Sequence, residues 1–144
     1  MLRIKEINVT DAQVCFLFDS ESLQLWSYEQ WKSQLNRKHV KTLAIYRFKK
    51  LVGVCVFELI IDEAELHYIA IHPEFTRKGF GKMLFVDFLK RIEENNIKKI
   101  FLEVSSKNLS AINFYESFNF KTERIRKKYY KDGTDAILKT KIIC

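Results

Sequence analysis

Proline and glycine are scarce in this chain: one proline and four glycines among 144 residues. No linker, low-complexity tract or internal repeat is visible, so a single domain over residues 1–144 is expected. Only three cysteines occur, Cys15, Cys55 and Cys144, widely spaced and without a CxxC pair. That argues against a disulfide framework and for reduced thiols in a cytoplasmic protein. Cys15 and Cys55 read as core and Cys144 as an exposed tail. No segment approaches the roughly 20 apolar residues of a membrane span. Arg3, Lys5, Glu6 and Asp11 break any signal-peptide core. No membrane partner is expected. The three histidines, His39, His67 and His72, are scattered, and no pair has metal-ligand spacing within a helix. No metal is expected; His67 should pack at its strand and His72 should be solvated.

What is present is apolar and basic. Hydrophobic residues make up 47% of the chain and aromatics 14%, enough for a core without staples. The formal net charge is +7. That favours an anionic partner: nucleic acid, an acidic surface or a phosphorylated small molecule. Strand-like alternation opens the chain at Leu2–Ile7. Thr10 or Asp11 can cap a helix through Phe16 and Phe18. Ser27 and Gln30 form a capping box for a helix through Trp31 and Leu35. Strands follow over Val40–Phe48, Leu51–Ile60 and Glu65–Ile71, the first two joined at Lys49-Lys50. Phe80, Leu84, Phe85, Phe88, Leu89 and Ile92 stripe one face of a helix from Phe80 to Asn95. A strand over Lys99–Val104, a polar loop, a short helix over Leu109–Ser117 and a closing pair, Phe118–Arg124 and Thr134–Ile142, complete a mixed α/β domain around a central sheet.

Two of the four glycines fall in His72-Pro73-Glu74-Phe75-Thr76-Arg77-Lys78-Gly79-Phe80-Gly81-Lys82, between a strand and a helix. A helix N-terminus offers unpaired N–H groups and partial positive charge to an anion. Glycine lets the backbone approach the ligand without a Cβ. A Walker A loop needs GxxxxGK[ST], which is absent. A Rossmann fingerprint needs a small third residue where Leu84 stands. An ordinary tight helix start and an acyl-coenzyme A turn remain.

The downstream half carries further motifs: Leu102-Glu103-Val104, Asn108, Ala111-Ile112, Tyr115-Glu116, Arg126-Lys127-Lys128-Tyr129-Tyr130 and Asp135-Ala136, with Trp26-Ser27 upstream. Together with the turn, these resemble the GNAT acetyltransferases, and within them the RimI-type ribosomal-protein alanine N-acetyltransferases. The resemblance spans roughly Trp26 to Ala136. It departs at Thr76, where Gln or Arg is usual, and at Asn119, where Gly is usual; Asn tolerates the left-handed conformation. The resemblance implies a mostly antiparallel, twisted sheet of six to seven strands flanked by about four helices. A V-shaped splay is implied between the strands ending near Ile71 and beginning near Lys99. It also implies acetyl-CoA as cosubstrate and a protein N-terminus, the alanine of a small-subunit ribosomal protein, as acceptor.

Acetyl transfer to an amine needs a polarised carbonyl, a neutral amine, a thiolate able to leave and two substrates held together. In the resemblance Glu103 is the general base, directly or through a water, and Tyr115 the general acid for the departing thiolate. Taken alone, Glu103 also reads as a solvated strand-end carboxylate and Tyr115 as a core tyrosine. Asn108 reads alone as a helix cap; the resemblance implies that it also contacts the pantetheine or acetyl region of the cofactor. The backbone of Ile69, Ala70 and Ile71 would pair with the pantetheine amides. Arg77, Lys78 and Lys82, with the backbone of Gly79, Phe80 and Gly81, would hold the pyrophosphate. No cysteine has a base nearby in sequence, so direct transfer is expected without an acetyl-enzyme. Tyr129 and Tyr130 would lie over the acceptor, and Asp62, Glu63 and Glu65 would favour a basic peptide. Two other readings stay open: a lysine or small-amine acceptor, and an RNA-associated protein using the basic segment Arg124–Lys131. Nucleic-acid contact is allowed but not required.

Overall fold

In the computed structural model, which describes residues 1–143, β1 (Leu2–Ile7) leads through a 3-10 turn (Val9–Asp11) into α1 (Ala12–Ser20) and α2 (Tyr28–Asn36). A meander of β2 (Val40–Arg47), β3 (Lys50–Ile60) and β4 (Glu63–Ile71) follows. A second 3-10 turn (Pro73–Phe75) enters α3 (Phe80–Glu94). Then come β5 (Lys99–Ser105), α4 (Leu109–Ser117), β6 (Lys121–Arg126) and β7 (Ala136–Ile142). The strands form one sheet in the order β1-β2-β3-β4-β5-β7-β6, antiparallel except at β4–β5. No helix among the described residues is long and apolar enough to cross a membrane.

The apolar stripe of α3 packs as its periodicity dictates. Phe80, Leu84, Phe85, Phe88 and Ile92 are buried, and α3 and α4 cover one face of the sheet. Phe85 is surrounded by Phe88, Phe114, Tyr115, Phe118 and Phe120 at centroid distances of 4.7 to 5.9 Å. α1 and α2 cover the opposite face through Cys15, Phe18, Trp31 and Leu35. The Ser27–Gln30 capping box forms as expected.

The β4–β5 pairing is short. Glu63, Ala64 and Glu65 face Lys99, Ile100 and Phe101, and no further pairs follow. Beyond Glu65 one edge of β4 is therefore free of strand partners, while its other edge stays paired to β3 through Ile71. This is the expected splay. The wedge it opens is where the motif residues meet.

Several local expectations change. Asp11 stands at the N-cap position of α1 as expected but makes no side-chain capping bond there. Asn8 caps the 3-10 turn before it, its Oδ1 accepting from Thr10 N at 3.0 Å while Asp11 accepts from Asn8 N at 3.3 Å. The capping bonds thus belong to the 3-10 turn, and Asp11 closes them while it starts α1. The β2–β3 turn is Phe48-Lys49, because Lys50 already pairs with Arg47. β6 starts at Lys121 rather than Phe118. Phe118–Phe120 instead close α4: Asn119 is left-handed at φ 68°, Asn119 N donates to Glu116 O and Phe120 N to Tyr115 O. This is a Schellman closure with Asn in glycine's place. His72 is buried rather than solvated. Its Nδ1 accepts from Glu74 N at 3.2 Å, and its ring lies between Phe18 and Phe75, so the 3-10 turn folds it under α1.

Candidate active site

Two clefts meet at Tyr115. One, of about 290 Å³, lies between β4 and α4 and is lined by Ile69, Ala70, Ile71, Gly81, Asn108, Ala111 and Tyr115 among others. The other, of about 220 Å³, opens on the side of the α1–α2 loop and is lined by Leu23, Leu25, His67, Tyr68, Glu103, Asn108 and Tyr115 among others. Ile69, Asn108, Ala111 and Tyr115 border both, so one continuous passage runs along the splay. A wider concavity at Arg47–Lys50 and Phe75 contains none of these groups.

Tyr115 is buried on α4, and burial, with the nearby Cys55, pushes its phenol far above the ordinary tyrosine range. It keeps its proton at neutral pH. Among the described residues its hydroxyl has no hydrogen-bond partner, so that proton is not committed to the fold. Behind it, buried Lys139 donates to Glu116 Oε2 at 2.6 Å and to Thr122 Oγ1 at 3.0 Å, pinning α4 to the closing hairpin. Lys139 is invisible to pattern reading, since a lysine in a strand ordinarily marks the solvent face.

Glu103 projects from β5 into the second cleft, with Arg126 Nη1 3.5 Å from its Oε2. Arg126 also lies over Tyr129, and Tyr129 packs on Tyr130. Burial first, then the Glu103 charge, raises the Tyr130 phenol above its usual value. The basic segment is thus partly drawn into the site. Lys128, left-handed at φ 51°, donates its N–H to Asp135 Oδ1 at 2.9 Å, which ties the segment down and lowers the Asp135 carboxyl.

Asn108 Oδ1 accepts from Ala111 N at 3.1 Å, so it is a helix cap and lines both clefts. Ile69 and Ile71 pack into the α3 side of the core and Ala70 into the other. At the turn, Arg77 and Gly79 are both left-handed, at φ 62° and 84°. Gly79 begins α3 with no side-chain cap, so the first amides of a 15-residue helix stay open. Arg77, Lys78 and Lys82 are exposed around them. The Phe80 side chain is core, 6.2 Å from Phe75, so only its backbone faces the turn. Thr76 Oγ1 donates to Pro73 O at 3.1 Å and braces the turn.

His67 is the skipped residue of a β-bulge: Phe57 faces Leu66 and Val56 faces Tyr68. Its Nδ1 lies 3.1 Å from Gln34 Oε1 and its Nε2 3.2 Å from Glu65. With Glu58 it forms a cluster of three potential ligands, but the Arg37 guanidinium already neutralises Glu58 at 2.7 Å. Of the expected acidic groove, Glu65 reaches the cleft by way of His67. Asp62 and Glu63 lie at the β3–β4 turn instead. Burial, with Asp11 and Asp19 adding, pushes the Cys15 thiol up to about 12, and burial raises Cys55 further, so neither is a nucleophile at neutral pH. Cys144 lies outside the described residues.

The splayed mixed sheet, the uncapped basic helix start after β4 and the buried tyrosine between two clefts are those of an acetyl-CoA-dependent N-acetyltransferase, as family membership and the relatives establish. The chain belongs to the acetyltransferase (GNAT) family, whose profile matches residues 3–120. It is similar to the ribosomal protein bS18-alanine N-acetyltransferase of Escherichia coli K12, 28% identical over 142 residues that cover 96% of this chain and 95% of that one. A putative enzyme of the same name in Bacillus subtilis is 30% identical over 78% of this chain and 76% of its own. The crystal structure of the Escherichia coli ribosomal-protein-S18-alanine N-acetyltransferase superposes with a TM-score of 0.93 at 27% identity, over 99% of this chain and 94% of that one. The fold is shared with the PaiA N-acetyltransferase of Thermoplasma acidophilum, solved in complex with coenzyme A, at a TM-score of 0.74 and 20% identity, over 98% of this chain and 99% of that one.

Proposed function

We infer that this chain acetylates the N-terminal amine of a protein by direct transfer, with the N-terminal alanine of a small-subunit ribosomal protein as acceptor. The observation that carries the reading is the placement of Glu103 and Tyr115 in one passage, beside the free edge of β4. The names of the similar bS18-alanine enzymes support the acceptor. Acetyl-CoA supplies the activated acetyl group. The residues present fit it: open α3 amides at Phe80, Gly81 and Lys82 with Arg77 and Lys78 suit a pyrophosphate, and the free backbone of Ile69–Ile71 suits an extended amide chain. Asn108, at the junction of the clefts, orients the donor. Glu103 accepts the proton of the incoming ammonium, and Arg126 holds the carboxylate in place while it does so. Tyr115 gives its proton to the departing sulfur. Neither step needs a cysteine, consistent with the buried, protonated Cys15 and Cys55.

Short peptides beginning with Ala or Met, and a blocked peptide carrying Lys, are incubated with acetyl-CoA while free thiol is followed. Turnover on the Ala N-terminus is expected. Turnover on the lysine peptide alone moves the acceptor to a side chain, and no turnover on any N-terminus overturns the reading.

A further inference from the structure

Asp19 is the most deeply buried acid of the molecule that this chemistry leaves unused. It is 0% exposed, in the last turn of α1, where the helix carbonyls disfavour negative charge. A buried carboxylate is tolerated only when it is well hydrogen-bonded. Its Oδ2 accepts from Leu25 N at 3.1 Å, Trp26 N at 2.9 Å and Trp31 Nε1 at 3.1 Å. Its Oδ1 accepts from the Tyr68 hydroxyl at 2.8 Å. All these partners donate, which suits an acceptor-only carboxylate. The Asp19 carbonyl also accepts from Ser22 N at 3.0 Å and Gln24 N at 2.8 Å.

One residue therefore holds most of the α1–α2 loop. Gln24 is left-handed at φ 54°, a strain that persists only when neighbours over-determine the backbone. The bonding turns Trp26 inward, 4.7 Å from Trp31 and 5.2 Å from Tyr68. It leaves Leu23 and Leu25 facing out, 54% and 53% exposed, on the wall of the cleft that contains Glu103. Exposed leucines held rigidly at a cleft mouth suit apolar surface on an incoming chain. Tyr68 adjoins Ile69 on β4, so the same carboxylate ties this wall to the strand between the two clefts.

We propose that Asp19 is a positioning residue for the acceptor, fixing the loop so that Leu23 and Leu25 form an apolar wall against the acceptor's first residues. The proposal rests on the N-acetyltransferase reading of that cleft. An ordinary structural carboxylate would affect both substrates alike. Asp19→Ala is expected to raise the acceptor KM about tenfold or more while the acetyl-CoA KM stays within about twofold. Asp19→Asn should recover most of the loss, since its oxygen can keep the three N–H donors while its NH₂ donates to the Tyr68 oxygen. Leu23→Ser/Leu25→Ser, at exposed positions that do not support the core, should reproduce the acceptor effect even where Asp19→Ala fails to fold. An unchanged acceptor KM in the double variant, or a parallel rise of both KM values in Asp19→Ala, overturns the proposal. If the wild-type chain turns over no peptide, the acetyl-transfer reading is what fails. Hydrogen exchange of Asp19→Ala, Asp19→Asn and the wild type then decides the positioning itself. Protection lost in Asp19→Ala only over Ser22–Trp26 and kept in Asp19→Asn supports it, and protection unchanged in Asp19→Ala, or lost throughout the sheet, overturns it.

Discussion

Tyr115 matters because of where burial leaves its proton. A phenol raised by desolvation stays neutral through the range in which amines lose their protons, and it stands between the two clefts. Tyr115→Phe removes the hydroxyl and keeps the ring packing on Phe85 and Phe120. It should lower kcat about a hundredfold, in the range of general acid catalysis, with acetyl-CoA affinity by calorimetry nearly unchanged. Equal losses in both would make the tyrosine structural. Glu103→Gln removes the proposed base, so turnover should depend on amine already neutral in solution and climb with pH towards the amine's own pKa. A pH–rate profile superimposable on the wild type would remove Glu103 from the mechanism. Both residues stand out in the sequence by motif. Their partners do not: Arg126 lies 23 positions from Glu103, and only the β5–β7–β6 order brings the two side chains together.

The turn into α3 separates two uses of glycine. Gly79, at φ 84°, has open space where a methyl group would stand, so its requirement is conformational. Gly79→Ala should cost about 1–2 kcal/mol in urea unfolding, the penalty of left-handed backbone. Gly81 has ordinary helical geometry, and a Cβ there would sit 3.6 Å from Ile71 Cγ1, an unstrained contact. Gly81→Ala should therefore hold its stability within about 0.5 kcal/mol, and, since Gly81 lines the cleft proposed for acetyl-CoA, it should lower acetyl-CoA affinity. Equal stability losses in both variants would refute this division. The glycine pair was legible in sequence because charge, strand end and helix start coincide there. Gly53 was not. A Cβ there would lie 2.5 Å from Ile71 Cδ1 and 2.8 Å from Ile45 Cγ2, a need created by three-strand packing alone. The bulge at His67 was equally hidden, since a skipped residue shows only in the partner strand's register.

Across the whole molecule, buried acids of weak acidity set the response to alkali. Cys15, Cys55, Tyr68 and Tyr115 all have folded-state values raised above the ordinary 9.0 for thiols or 10.0 for phenols, chiefly by burial. The folded chain thus holds more protons than the unfolded chain once pH exceeds those ordinary values. Their contribution to stability is intact below about pH 9 and is lost progressively as pH rises above it. Urea midpoints should be flat through neutral pH and fall above about pH 9. Cys55→Ala should make that fall shallower, and a midpoint rising with alkali would contradict the burial argument.

The sequence by itself determined the helices, the strand sequence and the glycine turn, and it singled out Glu103, Asn108 and Tyr115 as candidate site residues. These depend on local periodicity, capping and short motifs, which are written within a few neighbouring residues. Only the tertiary structure decided that β4 and β5 part after Glu65, that Lys139 braces the tyrosine helix from inside the sheet, and that Asp19 holds the loop over the cleft. Each joins residues distant in the chain, and burial supplies the energetic reason for it: a charge or polar group removed from water must find its partner wherever the fold brings one.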